Sequence, residues 1–157
     1  MKKEWQSLEE LVGSALARTE TLLAGHSVHV DLAPDLPLME LDGVLVEQVF
    51  VNLLENASRH TSPGTSVWID ARPVGQAVRI AFSNDGPTLT QHEIANVFEK
   101  FSQGNQASGG SGLGLAICKA IVEAHGGTIS AEPRESQGVR FLIDLPASKG
   151  APEVPVG

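Results

Sequence analysis

Apolar residues recur at helical spacing in three long stretches of the chain. The first, "SLEELVGSALARTETLLAG", opens on Ser7 with Glu10 three residues later, the pattern of a capping box, and predicts a helix closing near Gly25. In the second, Leu45, Val46, Val49, Phe50, Leu53, Leu54 and Ala57 make a broad apolar surface on a helix opened by Asp42. The third, "LGLAICKAIVEAH", predicts a helix starting near Gly112 and stopping at Gly126-Gly127. A shorter helix, with Thr90 and Glu93 as its capping box, ends near Phe98.

Between these helices the pattern alternates. Val28 to Leu32 reads as a strand broken by Pro34 and Pro37, and a short "LMEL" follows. "SVWIDARP" and "AVRIAFS", joined around Gly75, predict one hairpin; "GTISAEP" and "VRFLIDLP" predict a second. Strand pairs joined by short turns argue for an α/β two-layer sandwich, a mixed and mostly antiparallel sheet covered on one face by helices. "SQGNQASGGSG" has no periodicity and predicts a mobile loop. From Ala147 the small residues and prolines predict a disordered tail over 147–157, leaving 1–146 as one domain.

A length of 157 residues suits a single domain with its own core. The net charge of −8 argues against nucleic acid as a main partner, because phosphate contacts need a basic face. Any anionic ligand must therefore be met by local donors. The single cysteine, Cys118, excludes an internal disulfide and falls on the apolar face of a helix, where a packed core thiol is expected. No apolar run approaches a membrane span, and the first ten residues lack a signal-peptide pattern.

The second helix carries an anomaly. In "NLLENAS", Asn52 and Asn56 lie four residues apart and so share a face, with Arg59 or His60 continuing the stripe. Asparagine costs about half a kcal/mol against alanine in a helix, and a buried amide without partners costs about 1–3 kcal/mol more. Taken alone, the stretch fits a solvated edge as well as a site where amide oxygens face a hard cation. A second candidate is "GGSGLGLA", where glycines precede and enter the first turn of a helix, so that backbone N–H groups can approach an anion. No strand directly precedes it and no Lys-Ser/Thr closes it, which excludes the dinucleotide fold and the Walker loop.

Four segments in order, "NLLENASRHT", "NDGPTL", "FEKF" and "GSGLGL", resemble the asparagine, first glycine, phenylalanine and second glycine boxes of the catalytic ATP-binding domain of bacterial sensor histidine kinases. That domain belongs to the superfamily that includes gyrase, MutL and the heat-shock chaperone ATPases. The resemblance runs from about Ser7 to Pro146, and "EELVGSAL" and "GLGLAICKAIVEAHGGTI" are similar to the potassium-responsive Kdp type. It implies an α/β sandwich that binds ATP and Mg²⁺, with a flexible lid between the phenylalanine and second glycine boxes. Carried over by position, it implies that Asn56 ligates Mg²⁺, that Asn52 assists directly or through water, and that Arg59 meets the phosphates. Gly110, Gly112 and Gly114, with the N–H groups of Leu113 and Leu115, would cradle those phosphates. His60, Asn84, Asp85, Gly86, Thr88, Phe98 and Phe101 complete the implied nucleotide pocket, with Lys100 as an added cation beside the lid.

The same resemblance implies transfer rather than hydrolysis. Where hydrolytic relatives typically carry a water-activating glutamate, this chain has Asn52, whose amide is not a useful base; Glu55 lies about 100° round the helix from Asn56. His92 is followed by Glu, but the Thr-Pro that usually completes an acceptor motif is missing, so a solvated histidine is expected there. His26 and His29 flank a strand, and His125 sits where a cation suits a helix C-terminus. The acceptor histidine is then expected outside this chain, on a dimerisation and histidine-phosphotransfer domain, with a response regulator as the next partner. The chain alone is expected to be monomeric, to bind nucleotide without autophosphorylating, and to be the cytoplasmic part of a kinase attached to the inner membrane.

Three positions depart from the family pattern. Asn84 stands where an aspartate usually accepts from the adenine amino group, and a flipped amide there would suit guanine, so weaker ATP-over-GTP discrimination is expected. Thr88 replaces the second glycine of its box, and Gln103 replaces an arginine that often follows the phenylalanine box. The lost cation leaves open a degenerate nucleotide-binding or interaction module with little transfer activity. An ATP-hydrolysing clamp is disfavoured by Asn52, and a serine kinase of the anti-sigma type by the long lid and the "FEKF" box.

Overall fold

The computed structural model describes residues 1–99 and 113–147. Eleven elements run in the order β1 (Glu4–Gln6), α1 (Leu8–Arg18), β2 (Ser27–Leu32), β3 (Met39–Leu41), α2 (Gly43–His60), β4 (Ser66–Val74), β5 (Ala77–Asn84), α3 (Gln91–Asn96), α4 (Gly114–Ala124), β6 (Thr128–Pro133) and β7 (Val139–Pro146). Five strands form one sheet in the order β2-β4-β5-β7-β6. β2 runs parallel to β4, and every other neighbour pair is antiparallel. The expected mixed sheet is therefore present.

Period-2 alternation builds the inner face. Val67, Ile69 and Ala71 of β4, Val78, Ile80 and Phe82 of β5, and Val139, Phe141, Ile143 and Leu145 of β7 are buried. Against them pack the apolar stripes of α1, α2 and α4, with Phe50, Leu54 and Cys118 fully enclosed. The opposite face is polar. There Arg79 and Asp144 form a two-bond ion pair at 2.8 and 3.0 Å, and Trp68 lies between the His29 ring and the Arg134 guanidinium.

Local signals set most element ends. Asp42 caps α2 by accepting from Leu45 N at 3.1 Å, and its other oxygen accepts from Lys2 N at 2.9 Å. Those two N–H donors hold its carboxyl below the ordinary aspartate value. Thr90 and Glu93 form a reciprocal capping box on α3. At Ser7 only half of the box exists, the hydroxyl accepting from Glu10 N at 3.3 Å. The hairpin turn of β4 and β5 uses Gly75 at φ +61°.

The structure corrects several boundaries. α1 ends at Arg18 rather than near Gly25, because Thr19 turns its hydroxyl onto the Ala15 carbonyl and a series of turns follows. α3 stops at Asn96, two residues before Phe98, and α4 starts at Gly114 rather than Gly112. β1 was not expected; three residues carry no periodic signal, and it exists by pairing with β3. The expected mobile loop over 102–112 and all but the first residue of the expected tail lie outside the described residues.

His125 also departs from expectation. It is buried rather than presented as a cation at a helix end. Its Nε2 accepts from Asp42 N at 3.1 Å, so the ring carries its proton on Nδ1, which donates to Ile121 O at 2.8 Å. The residue is a neutral bridge from the end of α4 to the cap of α2.

Cys118 is a core thiol, as expected, with Sγ 3.6 Å from Val49 O. Burial pushes its pKa up to about 12, well above the ordinary thiol value. A raised folded-state value means that the stability from burying the neutral thiol is present below about pH 9 and is lost as pH rises toward 12. Urea midpoints at pH 8 and pH 10.5 should therefore fall further for the native chain than for Cys118→Ala. Equal falls would contradict this.

Candidate functional site

The site is built on α2. Val46, Val49, Phe50, Leu53, Leu54 and Ala57 anchor the helix in the core, which fixes the direction in which its remaining residues point. Asn56 is enclosed with them, 8 % exposed, and its amide makes no hydrogen bond to another described residue. One turn later Arg59 is half-buried, with a solvent-excluded Nε that has no partner. Native interiors rarely leave such groups unsatisfied. The Asn56 amide, which keeps some contact with solvent, lies three residues before Arg59 on the same helix face.

Asn52 is placed differently. Its Oδ1 accepts from Gln48 Nε2 at 2.6 Å and its Nδ2 donates to Gly114 O at 3.2 Å. Both ends of this amide are thus engaged, and it ties α2 to the first turn of α4. The tie sets the start of α4 beside the Asn56 face. Leu113 is the N-cap residue of α4 and supplies no side-chain cap; Leu115 turns its side chain into the core. The first-turn N–H groups are thus not closed off by a capping side chain, which is the arrangement an anion uses.

The end of β5 supplies the second wall. Asn84 is 5 % exposed, and its Oδ1 accepts from Gly86 N at 3.0 Å. Asp85 Oδ1 accepts from Ser66 N at 2.8 Å, which commits that carboxylate to the start of β4. Gly86 lies against α2's C-cap residue Thr61: a Cβ there would meet the Thr61 methyl at 2.5 Å, so a larger residue would force Thr61 to shift. Thr61 itself donates to Ala57 O at 2.6 Å and accepts from His26 Nε2 at 2.7 Å. His60, the last residue of α2, is half-buried. The Phe98 ring meets Phe141 edge-on at 6.2 Å, and Thr88 Oγ1 accepts from Gly138 N at 2.9 Å. Lys100, Phe101, Gly110 and Gly112 lie outside the described residues.

Sequence reading missed three residues that shape this wall. Gly138, at φ +102°, runs so close to the Asn84 carbonyl that a Cβ would collide with it. Gln137 donates to Asp85 O at 3.0 Å and Gly86 O at 3.3 Å. Thr61 is the third. For Gln137 and Gly138 the only local signal was the glycine at a hairpin turn, since their partners are about fifty residues away. Among the described residues no group of three or more His, Cys, Asp or Glu could hold a metal. A hard cation here would depend on amide oxygens, its other ligands coming from phosphate and water.

The chain belongs to the family of histidine kinase-, DNA gyrase B- and HSP90-like ATPases, whose model matches residues 41–149. Within it, this is a catalytic domain of the sensor histidine kinase kind. It is 42 % identical over 156 residues to the sensor protein KdpD of Escherichia coli strain K12, covering 98 % of this chain and 17 % of that protein. The chain thus spans about a sixth of the length of that curated relative. The nucleotide-free catalytic domain of the histidine kinase ThkA superposes with a TM-score of 0.85 at 28 % identity, covering 94 % of this chain and 97 % of that one. ThkA in complex with the response regulator protein TrrA matches at 0.80 and 26 % identity, over 93 % of this chain and 42 % of that one.

Gly138→Ala should cost roughly 2–4 kcal/mol, from the positive φ and the contact with Asn84 O together. Chemical denaturation checks this; a loss below 1 kcal/mol would mean that the β6–β7 turn relaxes freely.

Proposed function

We propose that this domain binds Mg-ATP and passes the terminal phosphoryl group to a histidine on a separate dimerisation domain, from which a response regulator takes it. The observation that carries the reading is the face of α2 that sets the Asn56 amide, unbonded among the described residues, one turn from the solvent-excluded and unpartnered Arg59 Nε, beside the uncapped start of α4. An amide oxygen that no described residue bonds and a half-buried cation with an unpartnered donor suit a metal-bound polyphosphate, and family membership supplies the ligand class. The bound Mg²⁺ would offset phosphate charge as transfer proceeds.

The chain's own residues have separable tasks. Asn56 Oδ1 would ligate the metal, and the Arg59 guanidinium would meet phosphate oxygens with its fixed fork of donors. N–H groups at the start of α4 would add hydrogen bonds, held in place by Asn52 through Gly114 O. Asn52, engaged at both ends and not a base, leaves no described group to activate water at that position, which favours transfer over hydrolysis. Asn84 would accept from the base with the second lone pair of Oδ1. Of the five histidines, His125 is buried and His26 is half-buried and bonded to Thr61, so neither suits an acceptor. His92 and His29 are exposed, and His60 is half-buried at the end of α2.

No helix among the described residues is long and apolar enough to cross a membrane. We place the domain in the cytoplasm, as a monomer when isolated, within a kinase attached to the inner membrane. A response regulator as partner is supported by ThkA, whose structure with TrrA shares this fold.

The chain should phosphorylate a separately supplied dimerisation fragment from labelled ATP, giving an acid-labile, alkali-stable phosphohistidine, while the chain alone stays unlabelled. Arg59→Ala should slow transfer by at least tenfold, about 1.4 kcal/mol. Label on the chain itself, or steady phosphate release without the fragment, would contradict the reading.

A further inference from the structure

The β6–β7 turn is more ordered than a hairpin connection needs to be. Arg134 N donates to Gly138 O at 3.0 Å, and Arg134 Nη1 donates to Gln137 O at 2.7 Å, so one residue closes the turn twice. The same guanidinium sits 4.4 Å from the centre of the Trp68 ring, which fastens the turn to β4. From this base three hydrogen bonds reach across to the loop after β5. Gly138 N donates to Thr88 Oγ1 at 2.9 Å, and Gln137 Nε2 donates to Asp85 O at 3.0 Å and Gly86 O at 3.3 Å. The Gly138 backbone meanwhile presses on the Asn84 carbonyl.

Thr88 stands at a position where glycine would leave the Gly138 N–H without an acceptor. Gln137 is exposed, yet its amide is spent on two carbonyls of the loop rather than on water. We propose that Thr88 and Gln137 are positioning residues for nucleotide binding: together they clasp residues 84–88 so that Asn84 is held in one orientation toward the base. This rests on the function proposed above and goes beyond it in assigning the turn a role in base recognition.

The clasp has a consequence for specificity. Gly86 N–H can bond only to the oxygen of the Asn84 amide, so a flip would set two donors against each other. A loop held in this way keeps Oδ1 toward Gly86 and the NH₂ group on the other side. That arrangement accepts from an adenine amino group and donates to the adjacent ring nitrogen, whereas guanine needs the flipped amide. The turn therefore restores the discrimination that an asparagine at this position was expected to weaken.

The test is calorimetric titration of the whole chain with Mg-ATP and Mg-GTP, alongside thermal midpoints, for the unaltered chain, Thr88→Val, Thr88→Ser and Gln137→Ala. Thr88→Val and Gln137→Ala should each weaken ATP about tenfold while changing GTP little, so that the ATP-to-GTP ratio falls. Thr88→Ser, which keeps the hydroxyl, should restore it. A side chain that served only folding would lower the midpoint without moving that ratio. Unchanged ATP affinity in both variants at unchanged midpoints overturns the proposal, as does a loss in which both nucleotides weaken equally. Should Thr88→Val unfold, the exposed Gln137→Ala decides alone by the same ratio. Absence of ATP binding by the unaltered chain would overturn the nucleotide reading itself, a result distinct from either.

Discussion

Everything at the site depends on how α2 and α4 are fixed against each other. The two helices run antiparallel and are pinned by polar bonds near both ends of their contact: His125 at the end of α4 accepts from the cap of α2, and Asn52 in α2 donates to Gly114 at the start of α4. The anchor points on α2 are ten residues apart, about 15 Å along the axis. Apolar packing alone tolerates sliding, because one Leu or Val ridge resembles the next. Hydrogen bonds at both ends do not. They set the register that brings the first turn of α4 beside Asn56 and Arg59.

That register explains why one helix can be both core and site. Seven apolar residues of α2 are buried against the sheet and the neighbouring helices, and this hydrophobic contact supplies the stability. It also absorbs the cost of leaving the Arg59 Nε enclosed without a partner among the described residues, about 1–3 kcal/mol. The polar bonds of Asn52 and His125 contribute modestly to stability but decide where Asn56 and Arg59 sit. Burial stabilises, hydrogen bonds position, and the leftover valence binds.

The chain announces its fold where the physics is local. Asp42, Thr90 and Glu93 cap helices as their spacing implied, and alternation along β4, β5 and β7 gave the hairpins and the buried face. It is silent where the partner is distant. β1 is a strand only because β3 lies beside it, and His125 read as a residue placed where a cation suits a helix C-terminus because nothing nearby reveals that Asp42 N–H will need an acceptor. At the site, the pairing of Asn52 with Asn56 was visible as a stripe, but their division of labour was not. One amide ties two helices together and the other is left unbonded, and only the position of α4 separates them. The clasp at Thr88, Gln137 and Gly138 was hidden for the same reason, joining residues about fifty positions apart.

On the proposed function, the Asn56 amide, which bonds no other described residue, holds a metal with a nucleotide. The most direct test of this role is titration of the chain with ATP in the presence and absence of Mg²⁺, repeated on Asn56→Ala. Mg²⁺ should strengthen binding by the unaltered chain, and the substitution should remove this enhancement while leaving stability nearly unchanged, since the amide bonds no other described residue. A variant that keeps the full Mg²⁺ effect, or loses stability as a bonded core amide would, contradicts this role.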